Sequence, residues 1–423
     1  MSELGTNPLA AGEKNMSVEA ARAAIRAAIA PIADVEAASL TGAPGRILAR
    51  DVISPIDVPA HDNSAMDGYA FDGAALRADR ELRLRAVGCI VAGASPVAGM
   101  RAGECVRIMT GAVMPPGLDT VVPLELCRVV GDEVVIPAGM VHARENLRKQ
   151  GEDLAVGRPA LRAGRVLRPA DVGLIASLGL TSVEVVRQAA VGVFSTGDEV
   201  VAPGQPLAPN CIYDSNRFAL IAAVGRLGMR PVDCGLLRDD PGVLQDALRD
   251  ALDRVDAIVI SGGASAGDAD YTRDVMARLG SVEFWKIAMR PGRPFAFGSL
   301  RARNDRRVWL FALPGNPVAA LVTFYVFARE ALLALAGARA DPLPTVQARS
   351  VAAIRKRPGR TEFQRGIVSR GSDGVLEVRG AGSQGAGVLR SMSEANALIV
   401  LAHDQGSVAA GQPVDVWLFE GLT

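Results

Sequence analysis

The chain of 423 residues is poor in lysine, histidine and cysteine, and each shortage closes off a class of function. Lysine occurs only at positions 14, 149, 286 and 356, so arginine carries nearly all of the positive charge. Lys and Arg together number 46, as do Asp and Glu, and the formal net charge is +0. Such a balance offers no basic stripe for a phosphate backbone, which excludes nucleic acid as an expected partner. His61, His142 and His403 are isolated in the sequence, which argues against a histidine-built transition-metal site. Cys89, Cys105, Cys127, Cys211 and Cys234 are odd in number and form no CxxC pair. They are expected as small apolar core residues in a reducing compartment, not as a disulfide framework. Residues 1–14 are polar and lack an apolar signal core. No uninterrupted apolar run approaches the roughly 20 residues of a membrane span. The nearest, 311–336, is broken by Pro314-Gly315-Asn316-Pro317 and carries Arg329 and Glu330. Together these absences predict a cytoplasmic enzyme with no membrane association.

Hydrophobic residues make up 49% of the chain and charged residues 22%, enough for buried cores and too little charge for disorder. The length suggests about three domains, give or take one. Ser17 caps an expected helix over 17–30, with Val18, Ala21, Ile25 and Ile29 at helical spacing; residues 1–15 read as a loose tail. From about 45 to 190 short β-like runs (82–91, 104–109, 120–130, 133–136) alternate with Gly and Pro. From about 189 strand and helix alternate. Strands are expected at 189–194, 231–236, 257–260, 282–287, 294–298 and 308–313. Helices are expected at 216–227, after Asp240-Pro241, from about 271, and from Asn316-Pro317 to about 335. Continuous apolar strands in that rhythm predict a parallel, doubly wound α/β sheet. Past Asp341-Pro342-Leu343-Pro344 the strands 345–354, 362–368, 375–378, 397–401 and 414–419 predict a small barrel or sandwich.

Ligands of an open parallel sheet sit beyond the carboxyl ends of its strands. That rule selects the loops 195–199, 238–240, 261–271 and 313–317. Three of them carry paired carboxylates: Asp198 with Glu199, Asp239 with Asp240, and Asp268 with Asp270. Carboxylates gathered at one sheet edge suit Mg²⁺, which takes oxygen ligands and bridges protein to substrate phosphate. The loop containing Ser261, Gly262, Gly263 and Ser265 exposes N–H groups and hydroxyls before a helix, a candidate anion cradle. It matches neither GxxxxGK[ST] nor GxGxxG. Lys286, Arg290 and Arg293 stand within eight residues stiffened by two prolines, and suit an oxyanion. Tyr271 and Trp285 are candidates for stacking on a ring, or for core packing. In the β-rich region, Asp62, Asn63, Ser64 and Asp67 concentrate hydrogen-bonding groups, and Thr110 ends a strand.

The stretches DVPAHDNSAMDGYA (57–70), RIMTGAVMPPG (107–117), ENLRKQGED (145–153), STGDEV (195–200), ISGGASAGDADYT (260–272), FWKIAMRPGRPFAFG (284–298) and LPGNPVAA (313–320) span nearly the whole chain. In that order they resemble the molybdopterin molybdenumtransferase family, the MoeA type, also found as the C-terminal part of gephyrin. The resemblance implies an α/β multidomain fold of four parts. These are an N-terminal unit of 1–57 with 146–188, a β-rich insert at 58–145, a molybdopterin-binding α/β domain at 189–338, and a β-barrel at 339–423. It implies a homodimer whose cleft lies between the α/β domain of one subunit and the 57–70 region of the other. The implied reaction inserts molybdate into adenylylated molybdopterin with Mg²⁺ and releases AMP. The implied catalytic residues are Asp67, Asp153, Glu199, Asp239, Asp270 and Lys286, with Glu199, Asp239 and Asp270 as metal ligands. Thr110, Arg290, Pro314, Pro317 and Arg365 are implied to contact ligand, Arg365 reaching the cleft from the tail domain. The chain has Arg293 where relatives often have Lys, and Ala386 where they often have Ser. Transient partners would be the molybdopterin adenylyltransferase and molybdoenzymes. The alternatives are the adenylyltransferase itself and a non-enzymatic scaffold.

Overall fold

The computed structural model describes residues 15–95, 99–262, 269–339 and 344–419. The apolar strands read from the sequence assemble into a seven-stranded sheet. Its order is Asn15–Met16, Gly280–Ile287, Pro294–Arg301, Arg307–Leu313, Ala257–Ser261, Ala190–Thr196, Arg230–Leu237. Successive side chains of a strand point to opposite faces, and here both faces are covered. Val191, Val193, Ala257 and Val259 join a core with the helices Asn216–Arg226, Val18–Ala28 and Pro317–Leu335. Ala190, Phe194, Ile258 and Ile260 join a second core with Pro241–Leu252 and Ala269–Leu279. The sheet is therefore doubly wound, as expected.

It is not wholly parallel. Pro294–Arg301 runs antiparallel to both of its neighbours. The cause is connection length: only 288–293 and 302–306 separate these strands, and a parallel neighbour needs a crossover of a dozen residues or more. The expected loose tail also ends early, because Asn15 and Met16 pair with Lys286 and Ile287 on the sheet edge. Helix Pro317–Leu335 corrects the membrane reading in one respect. It is long and apolar enough to cross a bilayer, but 67% of it is buried within the fold. The Pro-Gly-Asn-Pro interruption lies at its start, not inside it.

In the N-terminal half, Thr120–Pro123, Gly68–Phe71, Glu104–Ile108, Leu82–Ile90, Glu133–Ile136 and Arg128–Val130 form a six-stranded sheet. The expected strand 120–130 is split by the 3-10 turn Leu124–Leu126, whose first N–H donates to the Asp67 carbonyl (3.2 Å). Val35–Ser39 pairs with Ser182–Val186 and Val52–Ile53 with Pro159–Leu161, sharing a core with helix Pro169–Ser177. Cys105 is buried in the β-rich core, as expected of a small apolar residue, but Cys89 is exposed. At the C-terminus Thr361–Arg370, Leu376–Gly380, Thr345–Ser350, Pro413–Leu418 and Ala397–Leu401 close on themselves as a five-stranded barrel. Met289–Arg290 pairs with Thr361 and Glu362, so the cationic turn after the α/β sheet is stitched to the barrel.

Candidate functional site

Three strand ends meet at the sheet's carboxyl edge. Gly262 has φ +101°, and a Cβ there would lie 2.3 Å from Thr196 Oγ1 and 2.9 Å from its carbonyl oxygen. Only glycine permits that backbone and that approach. Its N–H donates to the Leu313 carbonyl (3.1 Å). Asn216 Nδ2 donates to Ser261 Oγ (2.7 Å) and to the Gly315 carbonyl (2.7 Å), while Ser261 Oγ donates to the Pro314 carbonyl (3.3 Å). One amide and one hydroxyl thus lace two of the selected loops into a platform. Beneath it, Ser195 Oγ donates to the buried Asp214 (2.9 Å), which also holds Arg217 (2.8 Å). Sequence reasoning missed Asn216, whose only signal was a polar residue at a helix start.

The acidic loops adjoin this platform. Asp198 Oδ1 accepts the Asp239 N–H (3.2 Å), coupling 197–200 to 238–240. Asp240 caps its helix through the Val243 N–H (2.8 Å), a structural use. Glu199 and Asp239 are exposed. The Glu199 carboxylate folds over Gly197, where a Cβ would lie 2.8 Å from Oε2. Gly263, Ser265 and Asp268 lie outside the described residues. Asp270 and Tyr271 belong to helix Ala269–Leu279, but their side chains lie outside the described ones. Among the described residues no group of three His, Cys, Asp or Glu side chains could hold a metal unaided.

The cationic turn follows. Lys286 is half-buried, Arg290 and Arg293 are exposed, and the Ile287 N–H donates to the Arg293 carbonyl (2.8 Å). A cavity of about 250 Å³ opens between Arg290, Pro291, Gly292 and Pro314, Gly315, Asn316, with Gln384 and Ala386 of the barrel closing it. Pro314 is buried and Pro317 opens the helix behind this wall. The Ala386 carbonyl accepts the Val318 N–H (3.0 Å), so the backbone at 386 seats the helix start whatever its side chain. Arg365, implied to reach the cleft from the tail domain, lines a cavity together with Arg290 and is held tightly there. It is 1% exposed, with Nε on Ser391 Oγ (3.1 Å) and Nη2 on the carbonyls of Ser383 (2.8 Å) and Gly385 (3.0 Å). It therefore shapes the turn that carries Ala386. Burial and the neighbouring Arg290 charge push its pKa down. Trp285 is core, 9% exposed between Phe295 and Phe297, with Nε1 on Glu283 (3.1 Å).

The N-terminal motifs converge elsewhere. Asp67 Oδ1 accepts both the N–H and the hydroxyl of Thr110 (2.7 Å each). Those bonds, the N–H first, hold its carboxyl below the usual range. Asp62 takes Lys149 Nζ (2.7 Å) and the Gln150 N–H (2.8 Å), and Asp57 takes Gln150 Nε2 and the Val156 N–H (2.7 Å each). Asp153 is exposed and its N–H donates to the Val58 carbonyl (3.1 Å). No hydrogen bond or ion pair among the described residues links 57–156 to 190–335. The structure thus gathers Asp67, Thr110 and Asp153 in one region, and Glu199, Asp239, Ser261, Gly262 and Pro314 in another.

The chain matches three family models: the MoeA N-terminal region (domain I and II) over 16–179, a probable molybdopterin binding domain over 192–334, and the MoeA C-terminal region (domain IV) over 347–419. It is 39% identical over 385 residues to the molybdopterin molybdenumtransferase of Haemophilus influenzae, covering 91% of this chain and 94% of that one. The chain belongs to the molybdopterin molybdenumtransferase family. A Nostoc member with the same name is 36% identical over 387 residues, with 90% and 88% covered. The solved molybdopterin biosynthesis moeA protein of Pyrococcus horikoshii OT3 superposes with a TM-score of 0.80 at 26% identity, covering 96% of this chain and 100% of that one. As a family member the chain is a transferase of molybdenum cofactor biosynthesis. The closed five-stranded tail and the α/β unit agree with that assignment.

Proposed function

We propose that the enzyme takes molybdopterin joined to AMP through a pyrophosphate, inserts molybdate, and releases AMP. The observation that carries this reading is the adjacency of two acidic loops, coupled through Asp198 and the Asp239 N–H, at the sheet edge that bears the laced Ser261–Gly262 platform. Glu199 and Asp239 offer exposed oxygen donors, which fits a hard cation that leans on substrate phosphate for its remaining ligands. Glu199, Asp239 and Asp270 would hold Mg²⁺. A cation held there would supply Lewis-acid withdrawal of charge from the substrate phosphates.

The chain's own groups do the rest. Ser261, Gly262, Gly263 and Ser265 cradle phosphate oxygens. Lys286, Arg290 and Arg293 hold molybdate, a tetrahedral dianion, beside the cavity walled by Pro314. The dithiolene thiols then bond to molybdenum as their two protons leave with one molybdate oxygen as water, a second water cleaves the anhydride, and AMP and the cofactor, which keeps its own phosphate, leave. Arg365 keeps the 383–387 turn in place around the oxyanion. Asp67, with Thr110 and Asp153, orders a water or proton at the cleft from a second copy of the chain in a homodimer. We assign the four-part division at 57/58, 145/146, 188/189 and 338/339, a cytoplasmic setting, and transient contact with the adenylyltransferase and with molybdoenzymes.

Replacing Asp239 or Asp270 with Asn is expected to cut turnover severely while circular dichroism and melting stay unchanged. Near-wild-type turnover in both variants contradicts the assignment.

A further inference from the structure

Arg290 lines not one cavity but three. Beside the inner cavity lies a second, of about 400 Å³, walled by Arg365 and Arg379. An open groove of about 790 Å³ continues from it along the barrel, and shares Arg290, Arg355 and Glu362 with it. The groove adds Arg357 and Arg360 from the 355–360 loop. In a chain whose charges balance at 46 and 46, this one surface collects cations almost exclusively.

Its single carboxylate is silenced. Glu362 is 3% exposed, with Arg360 Nε on one oxygen (2.9 Å) and Gln364 Nε2 on the other (3.2 Å). Lys356 is an anchor and not a ligand group. It is 6% exposed, and its Nζ donates to the carbonyls of Gln405 (2.7 Å), His403 (3.2 Å) and Arg357 (3.4 Å). Its N–H donates to Ser407 Oγ (3.1 Å), and the Gly359 N–H to the His403 carbonyl (2.9 Å). The 355–360 loop is thereby fixed to the 403–407 loop. Arg355 and Arg357 are exposed on this fixed loop, and neither has a carboxylate partner among the described residues. The groove lining includes no aromatic and no large aliphatic side chain, so nothing there would grip a pterin or adenine ring. Its chemistry suits a small, strongly hydrated anion.

We propose that the groove is an oxyanion-capture surface: Arg355 and Arg357 draw molybdate from solution and hand it by way of Arg290 to the inner cavity. This rests on the insertase reading above and adds to it a route of supply. Unpaired surface cations around a recess raise the local concentration of a dianion, and salt weakens the effect over a Debye length of about 8 Å.

The test is steady-state AMP release by the full chain, with molybdate and adenylylated molybdopterin varied in turn at several salt concentrations. Arg355→Gln with Arg357→Gln is expected to raise KM for molybdate about three- to tenfold at low salt, with kcat within about twofold. KM for adenylylated molybdopterin should not move. The salt dependence of kcat/KM for molybdate should flatten in the double variant, and Arg355→Glu with Arg357→Glu should raise that KM further. An unchanged KM and salt slope for molybdate in a variant of normal melting temperature would overturn the proposal. So would a rise confined to the KM for adenylylated molybdopterin, which would make the groove part of the organic substrate's site. Molybdate-independent AMP release by the wild type would instead remove the insertase reading itself, so the two failures are distinguishable.

Discussion

Asp57, Asp62 and Asp67 in the N-terminal motif region each have a carboxylate engaged by a near neighbour, whereas Glu199 at the α/β sheet edge is exposed over a glycine. Both regions drew attention for the same reason, a high density of acidic and small residues. Their physical use differs. In the first, carboxylates receive N–H and cationic donors from 107–117 and 145–156, and the loops lock one another in shape. In the second, the lacing is done by Asn216, Ser261 and backbone groups, and Glu199 stays exposed. An acidic motif thus points to chemistry only through the carboxylate oxygens that the fold does not use, and at Asp67 both bonds from Thr110 fall on the one oxygen Oδ1.

The comparison can be broken most directly at Glu199. Glu199→Gln is expected to lower turnover about a hundredfold, the equivalent of about 2.7 kcal/mol of transition-state stabilisation, with no loss of melting temperature. Equal activity would place this acid with the structural ones. Gly262→Ala should act on the platform itself. A Cβ would strike Thr196 in a backbone conformation that favours glycine, so urea unfolding should show a loss of about 2–3 kcal/mol together with lost activity. A stability equal to wild type would mean that the strand ends are not held as described.

Asp256 sharpens the contrast by being buried and locked at once. Burial raises the Asp256 pKa, but Arg187 (3.0 Å to each oxygen) and the Ala190 N–H (2.8 Å) outweigh it and hold the carboxyl below its ordinary value. A lowered folded pKa gives stability that is complete above the unfolded value of about 3.9 and is lost as pH falls through the folded one. Urea midpoints measured from pH 6 downward should therefore fall in that acid window, and less steeply in Asp256→Asn. A variant with the wild-type acid slope would show that this carboxylate is not the titrating group. The smallest effect is expected at Asp62, whose bond to Lys149 is exposed. Asp62→Asn should cost less than about 1 kcal/mol in thermal unfolding. A larger loss would show that the loop lock carries more of the N-terminal fold than its solvent exposure implies.

Much of this was legible in the sequence, for identifiable reasons. Asp240-Pro241 and Asn316-Pro317 announced helix starts because a cap and a fixed φ are local properties. The strands 257–260 and 308–313 showed themselves as continuous apolar runs because both faces are covered. What escaped depends on pairing across the chain. The antiparallel course of Pro294–Arg301 and the docking of Asn15–Met16 on the sheet edge are not written in any local period. The same holds within the site. Arg365 was legible as a site residue through the family resemblance, but the carbonyls of Ser383 and Gly385 that occupy it were not. Asn216 showed only as a polar residue at a helix start, since its two partners lie 45 and 99 residues away.

The central claim is tested most directly by following AMP released from adenylylated molybdopterin with Mg²⁺, with and without molybdate. The account predicts AMP release that depends on molybdate and is matched by formation of active cofactor. Conversion of ATP and molybdopterin into the adenylylated compound, or tight binding of that compound without turnover, would contradict it.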